Sequence, residues 1–458
     1  MTAPMARIGA AVAQDRAMRT LARVLSYGSA LLGSLTVVRS PRGIAGGIVW
    51  LPKLWAGAWA PFVATAGALG ALVGLFRGDR GAVLAGLFGA LAGVRHTVRV
   101  TAQHGEFEAA FGPDWQEHIP AELRARLPSS RFRVVQPVPP GAVRSADVVI
   151  GSWGAGRTLL GDLWRPPAGV SASGMAVVFL HGSLWQALDK DFLSRPLFRR
   201  LAGQGHVVLD VAYPLAPEAD LEEMVDAVRQ AIGWLHEHAH ENRVRSDRIV
   251  LMGASGGGHL ALLAAYASGD PGSDTPTATL APPVRAVVSI SGITDLAAFF
   301  VEYGRTNPRQ PRSSAGITEN LRPRRRDSTV LDRALTRARV FPPYRHGNMP
   351  GGPLLLVDLL GGTPDEVPEA YRLGSPIAHV RHGCPPTLQV FGDDDFVVDI
   401  SHGRRLHAAL VEVGVPSVLV ELPDTVHGFD QYVGVSRRVA PAAQAATYDI
   451  ERFLALMA

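Results

Sequence analysis

"DRIVLMGASGGGHLAL", residues 247–262, joins an apolar run to a second apolar run through a cluster of glycines around one serine. Ile249–Met252 has strand length and composition, and the apolar positions after Gly257 recur as in a helix. The turn between them, "GASGGGH" at 253–259, admits three uses. A dinucleotide fingerprint needs Gly-x-Gly-x-x-Gly, but Ser255 stands where the second glycine belongs. A phosphate loop needs Gly-Lys-Ser/Thr, and no lysine is near. The third use is Gly-x-Ser-x-Gly, a strained strand-to-helix turn that lifts a serine hydroxyl out of the sheet. Gly253 and Gly257 then flank Ser255 because a Cβ at either place would clash in so tight a bend.

A serine hydroxyl is a poor nucleophile at neutral pH and needs a base, itself held by an acid. The rest of the chain shows where to look for them. Apolar runs at 147–153, 175–182, 206–213, 248–254, 285–292, 387–393 and 417–423 read as strands, several of them continuous Val/Ile/Leu. Helix-period segments at 220–241, 257–268, 401–414 and 441–457 lie between them. Such alternation predicts an α/β fold, a mostly parallel central sheet with helices on both faces, whose catalytic groups sit at the carboxyl ends of strands. "DDDFVVD" follows the strand at 387–393 and "DTVHGFD" follows the strand at 417–423. His427 is therefore the expected base. The spacing from Gly392 to Val398 selects Asp395 as the acid, leaving Asp393 and Asp394 as turn residues. Backbone N–H groups must meet the oxyanion; Gly256 is one expected donor, and Gly182 or Ser183 in "FLHGSLW" (179–185) the other.

These motifs together resemble the esterase/lipase branch of the α/β-hydrolases, the hormone-sensitive-lipase-like and feruloyl-esterase-like enzymes. The resemblance covers about 145 to 458 and rests on His181-Gly182, "AYPLAPE" (212–218), "DRIVLMGASGGGHLAL", "SPIAHV" (375–380), "FGDDDFVV" and "VHGF" (426–429). It implies Ser255 as nucleophile, Asp395 as acid and His427 as base, with neither cofactor nor metal. Two departures stand out. The family's His-Gly-Gly-Gly is here His181-Gly182-Ser183-Leu184, and Pro214 replaces the arginine of its Tyr-Arg-Leu-Ala-Pro-Glu box.

The N-terminal part is different in kind. Leu54–Phe76 is uncharged, long enough to span a bilayer, rich in small residues, and carries Trp55 and Trp59 at one end. Shorter apolar segments lie at 24–38 and 82–94. The expected organisation is a transmembrane region with two or three hydrophobic helices over 1–96, a connector over 97–145, and an α/β-hydrolase domain over 146–458. The segment 299–370, with "RPRRRD" at 322–327, breaks the alternation and reads as a cap or lid insertion. This places the protein in a membrane as a multi-pass, bacterial-type protein.

Net charge is only +4, and of the 45 Lys and Arg only Lys53 and Lys190 are lysine, so the high pI reflects coding bias and gives no nucleic-acid signal. The lone Cys384 excludes an intrachain disulfide and reads as a buried structural thiol. His236, His238 and His240 read as a solvated helix face, His181 as a structural support of the oxyanion loop, and His259 as a packing residue under the site. The partners expected are a small-molecule or lipid ester and membrane lipids. A peptidase or amidase with the same triad is the alternative enzyme, and a non-catalytic membrane scaffold the alternative class.

Overall fold

The computed structural model describes residues 3–41, 44–182, 184–191, 193–268, 283–306, 354–430 and 438–458. Eight strands make one sheet: β1 (Val143–Trp153), β2 (Arg157–Arg165), β3 (Ala176–Leu180), β4 (Val207–Val211), β5 (Ile249–Ala254), β6 (Ala286–Ile290), β7 (Thr387–Gly392) and β8 (Ser417–Leu422). Their order is β1-β2-β4-β3-β5-β6-β7-β8. β2 runs antiparallel to both its neighbours, and β3 to β8 are parallel. All seven strands expected from the sequence are present. β2 is the addition: Gly161 and the buried Asp162 interrupt its apolar run, and it pairs in a hairpin with β1.

The helices, in order, are α1 (Ala3–Leu35), α2 (Ile44–Ala58), α3 (Ala60–Phe76), α4 (Arg80–Thr101), the short α5 (Phe107–Phe111) and α6 (Ala121–Arg124), α7 (Arg195–Gly203), α8 (Leu221–Glu237), α9 (Gly256–Ala267), α10 (Leu296–Thr306), α11 (Leu354–Leu360), α12 (Pro368–Leu373), α13 (Ser401–Glu412) and α14 (Pro441–Met457). Side chains alternate across each strand. Val178, Leu180, Leu209 and Leu251 therefore meet Met224, Val228 and Ile232 of α8, Leu260 of α9 and Leu406 of α13 on one face. Val177, Phe179, Val208 and Met252 meet Phe198 of α7 and Ile450 and Phe453 of α14 on the other. Asp220 starts α8 with a capping box, accepting from Glu223 N while the Glu223 carboxylate accepts from Asp220 N. A mostly parallel sheet covered on both faces, with this strand order, is the α/β-hydrolase fold.

Ahead of it stand four helices where the sequence suggested two or three. The apolar run 54–76 is divided: Ala45–Ala58 and Ala60–Phe76 meet at 75°. Pro61 lies in the first turn of α3, where its missing N–H is tolerated but a continuous helix from α2 is not. Among the described residues, Arg80–Thr101 is one helix long and apolar enough to cross a membrane, and the bent pair makes a second if counted as one span. α1, α3 and α4 pack backbone to backbone. A Cβ on Gly67 would lie 2.5 Å from the Gly86 carbonyl oxygen, and one on Gly86 would lie 2.5 Å from that of Gly67. Small residues permit such close approach. The outward positions are large and apolar, among them Leu31, Leu69, Leu75, Phe76, Leu84 and Leu91, all exposed. Leu54 and Ala58 of α2 and Val100 of α4 join the core under α14, so this bundle is continuous with the hydrolase domain.

Of the expected cap at 299–370, residues 307–353, with the Arg cluster, lie outside the described residues. At its two ends Phe299, Leu356 and Leu359 are part of the core. Cys384 is buried, as are Trp164 and His259.

Candidate active site

β5 delivers Ser255 into a tight turn with φ 52° and ψ −120°, immediately before α9. A non-glycine residue pays steric strain in such a conformation. The turn is held by Ser255 N donating to Ile290 O at 2.8 Å and His259 N donating to Ser255 O at 2.9 Å. The flanking glycines are obligatory: a Cβ on Gly253 would sit 2.2 Å from Gly257 O, and one on Gly257 2.2 Å from Leu180 O.

Asp395 and His427 lie in the turns after β7 and β8, and both come to the serine. His427 Nδ1 is 2.7 Å from Asp395 Oδ2, and His427 Nε2 is 3.2 Å from Ser255 Oγ. The other carboxylate oxygen of Asp395 accepts from Val397 N and Val398 N, each at 2.9 Å. With Nδ1–H directed at the carboxylate, Nε2 is left to accept the serine proton. Burial disfavours a charged imidazole here, but the charge and hydrogen bond of Asp395, with the charge of Asp430, outweigh it and raise the His427 pKa above its ordinary value.

Across from the serine, the loop after β3 carries Gly182; Ser183 lies outside the described residues. A Cβ on Gly182 would be 3.3 Å from Ser255 Cβ. Further along, Leu184 and Trp185 adopt φ of 52° and 60°. Their amide nitrogens approach within 3.4 and 3.3 Å of where a Cβ of Gly256 would stand. The loop backbone at Leu184 and Trp185 thus lies directly beside Gly256. It is anchored at three points. The Trp185 indole N–H donates to His259 Nδ1 at 3.2 Å, and Trp185 O accepts from Ala216 N at 2.8 Å. His181 stacks on Tyr213, whose hydroxyl donates to His181 O at 2.8 Å. Burial holds the His181 and His259 pKa values down to about 4, so both rings are neutral supports.

Asp295 accepts from Ala298 N at 2.9 Å and starts α10. Asp394 is more than the turn residue the sequence suggested. It is buried and holds Lys53 Nζ at 2.5 Å, and it accepts from Ser40 N and Ser40 Oγ at 2.9 and 2.8 Å. Trp50 Nε1 donates to the carbonyl of His427 at 2.8 Å. Arg95 and Arg99 of α4 both reach Asp424, each at 2.9 Å. These partners are hundreds of residues apart in sequence, and no local signal announces them.

Comparison with known proteins runs along the same axis. The family model described as BD-FAE matches residues 162–326, a stretch that contains Ser255 but not Asp395 or His427. Esterase LipQ of Mycobacterium tuberculosis is 24% identical over 349 residues, 74% of this chain and 72% of LipQ. Esterase LipC of the same organism is 28% identical over 295 residues, and the match spans 62% of this chain and 60% of LipC. Kynurenine formamidase of Danio rerio is 30% identical over 141 residues, 30% of this chain and 43% of that protein. Among solved structures, a thermophilic esterase of Thermogutta terrifontis with bound propionate is 22% identical at a TM-score of 0.46, covering 69% of this chain and 95% of its own. A truncated carbohydrate esterase from gut microbiota is 18% identical at a TM-score of 0.48, covering 70% and 98%.

Proposed function

We propose that the chain is a serine hydrolase of carboxylic esters, with Ser255, His427 and Asp395 as its triad. The observation that carries this reading is the unbroken chain from Ser255 Oγ through both ring nitrogens of His427 to Asp395. Similarity to esterase LipQ over 74% of the chain supports it.

In the reaction, His427 Nε2 takes the hydroxyl proton as Ser255 Oγ bonds to the acyl carbon. The carbonyl electrons move onto oxygen, where Gly256 N–H and an amide of the loop after β3 meet the charge. Removing one such donor typically costs about 10²–10³ in rate. Collapse breaks the ester C–O bond, and the imidazolium gives its proton to the leaving alcohol. Water then repeats the sequence on the acyl-serine: His427 removes its proton, the acid leaves, and the proton returns to Ser255. Asp395 fixes the tautomer and stabilises the imidazolium.

The N-terminal bundle is the membrane part in this reading. Residues 24–38, 54–76 and 81–94 are uncharged. The helical band they form lies between two charged collars, one containing Asp15, Arg19, Arg23, Arg77 and Asp79 and the other containing Arg39, Lys53, Arg95 and Arg99. At 1.5 Å per residue, the 14 to 15 residues of 81–94 and 24–38 give a band of about 21–23 Å, thinner than a typical hydrocarbon core of about 30 Å. The exposed aliphatic side chains on α1, α3 and α4 then face lipid rather than water. The collar nearest the triad sets the site at the membrane surface, which favours an amphipathic or lipid ester over a fully soluble one.

An amide is the second reading, favoured by the formamidase match over 141 residues. The test is hydrolysis of p-nitrophenyl esters of graded chain length and of an N-formyl anilide by the full chain in nanodiscs. The expected result is ester turnover that Ser255→Ala lowers by at least about 10³-fold. Anilide turnover exceeding that of every ester would replace the ester reading, and undiminished turnover by Ser255→Ala would end the triad assignment.

A further inference from the structure

In a chain that uses arginine for nearly every cation, both lysines, Lys53 and Lys190, are largely buried in ion pairs, at 5% and 11% side-chain exposure. Lys53 belongs to α2, yet its ammonium is not at the periphery of the interface between bundle and hydrolase domain. It donates to Val38 O and to Asp394, whose own side chain is 7% exposed. A compact ammonium fits this small, closed site where a planar guanidinium would not. Asp394 is the residue before Asp395. The segment leading into α2 adds Ser40 on the Asp394 carboxylate, and Arg39 Nη1 donates to Asp393 O at 3.1 Å.

The second contact of α2 falls on the other catalytic turn. Trp50 Nε1 donates to His427 O, and a Cβ on Gly428 would lie 3.6 Å from Trp50 Cζ2. The two turns are also laced to each other. Asp394 N donates to Thr425 O at 3.1 Å, Asp424 N to Asp393 Oδ1 at 2.6 Å, and a Cβ on Gly392 would strike Thr425 O at 2.1 Å. A shift of residue 394 is thus transmitted to both 395 and 427. The bundle touches the neighbour of the acid and the backbone of the base at once.

We propose that the N-terminal bundle is a working part of the active site, with Lys53 and Trp50 as positioning residues that hold Asp395 and His427 in register with Ser255. This rests on the triad assignment above. Removing the Lys53 ammonium leaves Asp394 buried without its counter-charge, and the acid turn moves to reach water. Removing both charges together relieves that demand.

The test uses the full chain in nanodiscs, with active sites counted by a fluorophosphonate probe and turnover read on p-nitrophenyl butyrate. Lys53→Met and Asp394→Asn are expected to lower kcat per labelled site about tenfold or more while KM stays within about twofold, the expectation for a loss of transition-state alignment. Lys53→Met/Asp394→Asn is expected to recover much of the loss, the coupling that contacting residues show. Trp50→Phe, which keeps the ring and deletes the N–H, is expected to lower kcat several-fold. Wild-type kcat per labelled site in Asp394→Asn and Trp50→Phe overturns the proposal, whether or not Lys53→Met folds. A smaller labelled fraction with unchanged per-site kcat also overturns it, by showing that the pair serves stability alone. Failure of the wild-type chain to label strikes at the triad assignment instead.

Discussion

The indole N–H of Trp185 points at Nδ1 of His259 across 3.2 Å, and the other nitrogen of the same imidazole lies 2.7 Å from the carbonyl of Gly374. His259 is buried and neutral, so Nε2 is the donor to Gly374 and Nδ1 is free to accept. One ring thereby ties the loop that faces Ser255 to the helix that follows the Ser255 turn. Trp185→Phe keeps most of the packing and deletes this link. It should lower kcat about tenfold with little change in KM, less than the roughly 10²–10³ expected for outright loss of an oxyanion donor. Steady-state kinetics on a short-chain ester checks this. Turnover equal to wild type would show that the loop needs no such tie.

The pH dependence follows from His427. In the proposed triad it must be neutral to accept the serine proton, and Asp395 and Asp430 raise its pKa against the effect of burial. The acidic limb of kcat/KM should therefore have its midpoint above 6.5, the ordinary histidine value. Activity is lost as pH falls through that midpoint. Asp430→Asn removes one of the raising charges and should move the limb toward lower pH. A limb that stays in place would remove Asp430 from the electrostatics of the base.

The bundle makes its own prediction. Gly86 faces Gly67 O so closely that any side chain must force α3 and α4 apart. Gly86→Leu should lower the thermal midpoint in nanodiscs, with a cost of about 1–3 kcal/mol for overpacking. Gly28 on α1 has nothing within 4 Å of a Cβ position. Gly28→Ala should be neutral or slightly stabilising, because alanine is the better helix former by about 1 kcal/mol. Equal midpoints for the two variants would mean that α3 and α4 are not in contact.

What was legible in the sequence had local causes. The parallel strands were readable because burial on both faces writes continuous Val/Ile/Leu runs, as in Val207–Leu209 and Ile249–Leu251. That Ser255, Asp395 and His427 stand in turns at strand ends was readable because each follows such a run directly. β2 was not, since Asp162 in its middle looks solvent-facing until Arg144 and Lys190 are seen against it. Asp393 and Asp394 are turn residues as expected, but their partners, Arg39 and Lys53, come from a region 341 or more residues away and left no local signal. The break at Trp59 hid inside an uncharged run, where composition alone suggested one helix and only Pro61 hinted otherwise. Local pattern reports burial and turns; it does not report which distant side chain meets which.

The most direct measurement is the site of covalent capture. Full-length protein is incubated with a fluorophosphonate and digested, and the modified peptide is identified by mass spectrometry. The expected result is one adduct, on Ser255, absent from Ser255→Ala and formed far more slowly by His427→Ala. An adduct on any other residue, or ester hydrolysis that survives Ser255→Ala undiminished, would contradict the assignment of this chain as a serine hydrolase.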